Sequence, residues 1–376
     1  MKSAILFPNY GPYHFTRLRA ATNHGGFSEC VGLEIAAQED LYPWRTEREN
    51  LDVKLETLYD GSLESAAPKQ LCHLLEASLD KHQPDVVAIS GYSRPEMRAA
   101  LDWCKRQKKI AVLMSESKHD DAPRQWLKEA LKSRLVRRFD AGLVGGRPHK
   151  EYLCTLGIPA NRIFAGYDIV DNEGFWNRAQ QARHTSQSPV ERPYFLTVNR
   201  FIERKNLKRV IEAYALYRAN IAPSQQPWDL VLCGSGEEEA NLREAARATG
   251  LEGIHFPGFL QQDDINRYMA FAGVFIHSSL VEQWGLVVNE AMACGLPILV
   301  SRTCGSASEL LHEGENGFGF DPNQTEQLAA KMGEMAHPDA KREQWGQSSR
   351  AIIAQWGPER FGQGLYEAAK SVQTAK

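Results

Sequence analysis

The sequence predicts an α/β protein built from two parallel-sheet halves. Three observations carry this. Short apolar runs alternate with amphipathic helical patterns along most of the chain, and the alternation breaks once, at a polar stretch. The length, 376 residues, suits two domains of ordinary size, each with its own core. Parallel strands are covered by crossover helices on both faces, so they read as continuous apolar runs rather than as an apolar–polar alternation.

In the first half, "AILF" is followed by the helical pattern "FTRLRAATNH", and "DVVAIS" (85–90) by "PEMRAALDWCKRQ". "IAVLMS" (110–115) is followed by "APRQWLKEALKSRLVRRF", and "AGLVGG" (141–146) by "RPHKEYLCTLG". Residues 177–193 are polar, hold two prolines and show no apolar period, so they are expected to connect the halves. A second series follows: "YFLTV" (194–198), "DLVLCG" (229–234), "IHFPG" (254–258), "GVFIHS" (273–278) and "PILVS" (297–301). Domains are therefore expected over 1–180 and 190–356, and such a chain is expected to hold its ligand between them.

A formal charge of −3 argues against a general nucleic-acid binder. Seven scattered cysteines without a C-x-x-C pair suggest a reduced, cytoplasmic protein without a disulfide framework or zinc site. The start "MKSAILFPNY" has too short an apolar run for a signal peptide, and no run is long enough to span a membrane.

The most informative stretch is "EQWGLVVNEAMACGLP" (282–297), with Glu282 and Glu290 eight positions apart. A strand should end near Ser278 and a helix begin near Gly285, with Gly295 and Pro297 stopping it. Glu282 then sits on the loop at the helix mouth. The amides of Leu286 and Val287 lack partners within the helix and offer an anion site. Carboxylates accept well from sugar hydroxyls, so a sugar, a diphosphate and a ribose in sequence would fit Glu282, the helix start and Glu290. Arg200 and Lys205 in "NRFIERKN", the "CGSG" turn with Ser235, and Phe259 also fall just past strand ends. Ligands of open α/β sheets bind along that edge. The "DD" pairs at 120–121 and 263–264 suggest no metal site, and Asp263 reads as a helix cap.

With these motifs in view, the chain resembles the family-4 retaining glycosyltransferases (glycosyltransferase group 1). The resemblance rests on the R-x4-K pair Arg200/Lys205, "CGSG", "FPGF" (256–259), S-x-x-E-x-x-G-x-x-x-x-E-A (279–291), "GLP" and "CGSASELLHEGENGF" (304–318). It implies the GT-B fold, in which two Rossmann-like parallel-sheet domains face across a cleft. It also implies that the last segment, 357–376, is a helix crossing back onto the first domain.

By position, the resemblance gives Arg200 and Lys205 the donor diphosphate and the leaving group, Glu290 the ribose, and Glu282 the sugar hydroxyls. The segment from Gly258 would lie along the base. Gly11, in the loop "PNYGPYH", would approach the phosphate. The family commonly has a histidine after a first-domain strand; here Ser115, Glu116 and Ser117 stand there, with His119 beyond and His14 elsewhere. Glu116 and His119 are thus candidates on the acceptor side.

The implied reaction moves a hexose with retention from a nucleotide-sugar, a UDP-sugar by preference, to a glycan or lipid-linked acceptor in polysaccharide or glycoconjugate assembly. No cofactor or metal is needed, since Arg200 and Lys205 supply the charge. The alternatives are an inverting enzyme with His14 as general base and a non-catalytic nucleotide-sugar-binding protein. A nicotinamide dehydrogenase is disfavoured, because the first strand lacks G-x-G-x-x-G after it. Residues 98–138 carry twelve Lys and Arg against five Asp and Glu. Their basic face is expected to meet an anionic partner, a membrane with a lipid-linked acceptor or an acidic glycan, which would place the protein at the inner membrane face. The apolar stripe Trp126, Leu127, Ala130, Leu131 and Leu135 is expected to face the sheet, as in any crossover helix.

Overall fold

The computed structural model of the chain describes residues 1–38 and 52–373. The chain divides into two compact units, Met1–Asp171 with Trp356–Lys376 (unit 1) and Asn172–Gln355 (unit 2).

Unit 1 holds strands β1 (Lys2–Phe7), β2 (Glu29–Glu34), β3 (Leu55–Thr57), β4 (Val86–Ser90), β5 (Ile110–Ser115), β6 (Ala141–Val144) and β7 (Ile163–Ala165). They form one parallel sheet in the order β3-β2-β1-β4-β5-β6-β7. The crossovers are α1 (Pro12–Asn23), α2 (Pro68–His82), α3 (Pro95–Gln107), α4 (Trp126–Val136) and α5 (Arg147–Leu156). All but α4 have proline in the first two positions, where its missing N–H is not needed and its fixed φ suits a helix start. Strands β2, β3 and β7 escaped the sequence reading. β2 begins and ends in glutamate, and β3 and β7 are three residues each. Glu34, fully buried, accepts from the Tyr10 amide at 2.7 Å and the Thr57 hydroxyl at 2.7 Å, and so fixes the loop after β1.

Unit 2 runs α6 (Asn172–Thr185), β8 (Tyr194–Val198), α7 (Leu207–Asn220), β9 (Asp229–Cys233), α8 (Glu239–Ala248), β10 (Ile254–Gly258) and α9 (Gln262–Phe271). It continues with β11 (Val274–His277), α10 (Leu286–Ala293), β12 (Ile298–Ser301), α11 (Ala307–Leu310), β13 (Gly317–Phe320), α12 (Thr325–Ala336) and α13 (Arg342–Ile353). Its parallel sheet has the order β10-β9-β8-β11-β12-β13.

The last helix, α14 (Pro358–Gln373), belongs to unit 1; residues 374–376 of the segment expected to be helical lie outside the described residues. Phe361, Leu365, Ala368, Ala369 and Val372 enter the same core as Ile5, Phe7 and Leu18. Gly362 and Gly364 make the approach possible. A β-carbon at either would lie 2.6 Å from a backbone oxygen, that of Ala20 or Ala165.

Three expectations are corrected. Residues 177–193 are not simply a connection, because α6 runs to Thr185. Its buried positions, Asn172, Phe175 and Ala179, keep helical spacing, and most of that pattern lies ahead of residue 177. Arg183 then donates to the carbonyls of Ala270 (2.7 Å) and Cys294 (3.1 Å) near the ends of α9 and α10. Asp263 is not a cap: Gln261 precedes α9, and Asp263 lies in its first turn, where a negative charge still suits the helix dipole. The apolar stripe of α4 does not face the sheet. Trp126 is 77% exposed, Leu127 58% and Leu131 69%, Ala130 is exposed too, and only Val136 of this helix is buried.

Candidate functional site

Strand order reverses between β1 and β4 in unit 1 and between β8 and β11 in unit 2. At such a point the loops leaving the carboxyl ends diverge and open a crevice. In unit 2 the two diverging loops carry the basic pair and the first glutamate of the sequence motifs.

These loops are locked together. The Leu280 amide donates to the Arg204 carbonyl at 2.8 Å, and the Ser278 hydroxyl to the Lys205 carbonyl at 2.8 Å. Asn206, in the left-handed conformation (φ 58°), ends the short turn Glu203–Lys205 and donates to the Pro322 carbonyl at 2.8 Å. Lys205 thereby reaches Glu282 across the reversal and forms an ion pair with it, both side chains being largely buried. The same carboxylate oxygen, Oε2, accepts from Ser279 Oγ at 2.9 Å and meets His277 Nε2 at 3.1 Å. Oε1 takes none of these bonds.

Burial alone would raise the Glu282 pKa. The hydrogen bond and charge of His277, with the charge of Lys205, outweigh it and hold the carboxyl well below the usual carboxylate range. Burial lowers the His277 pKa, but its interactions with Cys304 and Glu282 dominate and raise it above its ordinary value. His277 is fully buried. The group thus sets one cation, Lys205, and a histidine whose charged form is favoured around one anion.

The helix mouth beside it is equally constrained. The Gly305 amide donates to the Glu282 carbonyl (3.1 Å), the Ser306 amide to the Trp284 carbonyl (3.2 Å), and Cys304 Sγ to the same Trp284 carbonyl (2.8 Å). Trp284 Nε1 donates to Asn289 Oδ1 at 2.9 Å. Gly285 starts α10 at φ 92°, and a β-carbon there would come within 3.1 Å of Cys304 Sγ and His277 Nε2. The Val288 amide bonds to the Gly285 carbonyl at 2.9 Å, which leaves Leu286 and Val287 ahead of the first bond of the helix. Glu290 follows in the second turn, buried.

The remaining donor-side candidates flank this point. Gly234 packs so tightly on the loop after β8 that a β-carbon would sit 1.8 Å from the Asn199 carbonyl oxygen. The Phe201 amide donates to the Ser235 carbonyl at 2.8 Å, and the Gly234 amide to the Gly258 carbonyl at 2.8 Å. Phe259 follows Gly258 and is 43% exposed, a flat apolar face at the sheet edge. Arg200 is exposed two residues past β8. The structure therefore brings Lys205 and Glu282 into contact and places Arg200, Ser235, Gly258, Phe259, Gly285, Leu286, Val287 and Glu290 on the same carboxyl edge or the helix rising from it.

In unit 1, His14 lies in the first turn of α1. Its Nδ1 accepts the Gly11 amide at 3.0 Å, and its ring stacks on Phe7 with centroids 4.0 Å apart. Burial and the charge of Arg17 pull its pKa down to about 3, partly offset by the Asn9 backbone. The Gly11 bond assigns the ring proton to Nε2. A β-carbon at Gly11 would approach His14 Nδ1 only to 3.9 Å, so packing in unit 1 does not demand glycine there.

The acceptor-side candidates diverge. Burial and the neighbouring charge of Glu116 raise the Asp168 pKa well above the carboxylate range, against the pull of Arg17. Arg17, itself buried, pairs with Asp168 at 3.4 Å and lies over the Tyr167 ring at 4.2 Å. Glu116 thus lies beside Asp168, whereas His119 is exposed, with its ring 6.2 Å from Tyr152.

Four residues of these networks were not foreseen: His277, Ser279, Arg17 and Asp168. Ser279 and His277 stood in quoted motifs, three and five residues before Glu282. Arg17 and Asp168 lie 151 positions apart and carry no local signal.

Two parallel-sheet units, each of the Rossmann-like α/β kind, make this a GT-B fold. Anabaena HepE in complex with UDP has the same fold, with a TM-score of 0.76 over 99% of this chain and 100% of that one, at 19% identity. Sucrose-phosphate synthase from Thermosynechococcus elongatus gives 0.73 over the whole of both chains, at 18% identity. Residues 179–352, nearly all of unit 2, match the model of the glycosyl transferases group 1, the family that the R-x4-K and E-x7-E motifs resemble. The lipopolysaccharide core biosynthesis glycosyltransferase LpsE of Rhizobium meliloti is 32% identical over 156 residues, 41% of this chain and 43% of that protein. Sulfoquinovosyl transferase SQD2 of Arabidopsis thaliana is 30% identical over 210 residues, 54% of this chain and 38% of that protein. The matched stretch spans less than half the length of either relative.

Proposed function

We propose that the chain is a retaining hexosyltransferase that uses a nucleotide-diphosphate sugar, a UDP-sugar by preference, and a glycan or lipid-linked acceptor of a bacterial polysaccharide or glycoconjugate. The observation that carries the reading is the Lys205–Glu282–His277 group, set at the strand reversal beside the open start of α10. It gives a diphosphate a cation, free amides and a carboxylate within one edge. The UDP in the HepE structure and the lipopolysaccharide core biosynthesis in the name of LpsE favour this donor and this acceptor class.

In the proposed reaction the bond between the anomeric carbon and the diphosphate breaks, and the acceptor oxygen bonds to that carbon on the same face. The departing phosphate oxygen takes the acceptor proton. Arg200 and Lys205 neutralise the charge that develops on the leaving diphosphate, and the amides of Leu286 and Val287 add to this. Glu290 holds the ribose, Phe259 lies along the base, and Glu282 Oε1 accepts from a sugar hydroxyl. Gly11 admits the phosphate by close backbone approach. Gly11→Ala tests this, since packing in unit 1 tolerates the added methyl. The scheme requires no metal; transfer unchanged by a chelator supports that part, and loss of transfer opposes it.

The inverting alternative uses His14 as a base. Its free lone pair is on Nδ1, which already accepts the Gly11 amide, and its pKa near 3 makes it a weak base at neutral pH. Both points favour retention. A donor panel read by thermal shift, followed by the anomeric configuration of the product by NMR, tests the proposal. An inverted product removes the retaining mechanism. Tight donor binding with no hydrolysis and no transfer leaves only a binding protein.

A further inference from the structure

Five large hydrophobic side chains among the described residues are exposed, and the three most exposed, Trp126, Leu127 and Leu131, lie in the first two turns of α4. The helix is not free to roll them inward. Its opposite side is fixed to α5: Ser133 Oγ donates to the Leu156 carbonyl at 2.8 Å, and Tyr152 Oη donates to Glu129 at 2.7 Å. Lys132 pairs with the same glutamate at 2.8 Å, and Val136 is buried. Rotation of α4 would break this set and turn Arg134, which shares the exposed face, inward along with the apolar residues.

Charge surrounds the apolar face. Residues 124–138 hold six Lys and Arg and one acid, Glu129, in a chain of net charge −3. Glu129 is on the inner side, already occupied by Lys132 and Tyr152. Lys128, Arg134, Arg137 and Arg138 are exposed, and Lys128 and Arg134 make no ion pair among the described residues. On the helix, Trp126, Leu127, Ala130 and Leu131 form the leading apolar half, and Arg134, Arg137 and Arg138 form the trailing basic half of the same exposed side.

We propose that α4 is a peripheral anchor for an anionic phospholipid surface. Trp126, Leu127 and Leu131 enter the interface, and Lys128, Arg134, Arg137 and Arg138 meet the phosphate level. Both halves of the face are needed for such a surface, which offers hydrocarbon and negative charge at adjacent depths. A second copy of the chain fits poorly, because a symmetric contact would set the basic half either against itself or against the other copy's apolar half. A soluble acidic glycan would use the basic half and leave three bulky apolar side chains in water. The inference does not depend on the transferase reading, although it would bring the protein to a lipid-linked acceptor.

The test is sedimentation of the full chain with vesicles of phosphatidylcholine alone or mixed with phosphatidylglycerol, at low and high salt. The expected result is binding to the mixed vesicles at least tenfold tighter than to neutral ones, weakened by salt. Trp126→Ala/Leu127→Ala/Leu131→Ala and, separately, Lys128→Glu/Arg134→Glu should each weaken it tenfold or more. Neither variant should alter the thermal shift produced by UDP, since none of these residues is on the donor edge. Equal binding to both vesicles, binding to neither, or variants that bind like the parent overturn the proposal. So does self-association that the triple variant abolishes when no vesicle binding exists. A parent protein with no UDP shift would count against the transferase reading and leave the anchor untouched.

Discussion

The carboxyl edges of the two sheets carry groups of the same kinds, yet they are assembled over different distances along the chain. In unit 2, His277, Ser279 and Glu282 lie within six residues, and Lys205 joins them from the adjacent diverging loop. In unit 1, Arg17, Glu116 and Asp168 come from the first helix, the end of β5 and the segment after β7. The unit 2 edge ends in the Lys205–Glu282 ion pair and His277, beside the open start of α10. The unit 1 edge ends in Glu116 beside Asp168, which pairs with the buried Arg17, and holds a histidine whose pKa is depressed. An anionic donor suits the first edge. The second suits a neutral, hydroxyl-rich acceptor, for which carboxylates are hydrogen-bond partners.

The sharpest way to break this contrast is at Lys205. Lys205→Ala should lower transfer by ~10²–10³, the typical cost of one preorganised donor at a developing charge. It should also cost about 1–3 kcal/mol of stability, because Glu282 stays buried with one partner fewer. Arg200→Ala, at an exposed position, should lower transfer strongly with little change in Tm. Near-normal turnover of either variant at saturating donor would remove unit 2 as the charge-bearing edge.

Next in size, Glu282 and Glu290 should separate. Glu282→Gln should lower kcat and Tm together, since it leaves Lys205 and His277 without an anion. Glu290→Ala should mainly raise KM, because a ribose contact is the same in ground and transition states. If both variants changed KM alone, the two carboxylates would not differ in role.

A smaller effect is expected from pH. The folded pKa of His277 is raised above the ordinary 6.5, so its charge contributes stability that is complete below 6.5 and is lost as pH rises through the folded value. UDP affinity and Tm should fall together over that rise, and His277→Gln should flatten both curves. A UDP affinity indifferent to pH in this range would show that His277 does not bias the phosphate edge. Glu282, depressed in the fold, acts in the opposite sense, and its contribution is lost only toward strong acid.

The smallest effect concerns His14, for which the protein holds its own control. In α5, His149 Nδ1 accepts the Gly146 amide at 3.1 Å, the same first-turn device as His14 on Gly11, at a fully buried position. His14→Ala should therefore cost about 1 kcal/mol, as for a lost helix cap, and change transfer only a few-fold. Loss of transfer by orders of magnitude with Tm preserved would restore the inverting alternative.

The parallel sheets, the α10 start at Gly285 and the edge positions of Arg200, Lys205, Glu282 and Glu290 were legible, because apolar period and strand-end spacing are local signals. The Lys205–Glu282 pairing was not, since it depends on two loops being tied through Leu280 and Ser278. The Arg17–Asp168 pair was invisible for the stronger reason that its members share no segment. The α4 stripe misled for a different reason: helical spacing shows that a face is apolar, but not whether the sheet is what covers it. The polar stretch 177–193 misled because the window opened after Phe175, inside a helix already begun.

Unit 2 is one continuous stretch, Asn172–Gln355, whereas unit 1 is interrupted by it and is completed only by α14. The chain emerges from the ribosome in that order. Unit 2 can close while still tethered, as domains generally do during synthesis. The core around Ile5, Phe7 and Leu18 must wait for Phe361 and Leu365, which are translated after unit 2. The first half, although made earlier, is therefore the later to complete its core.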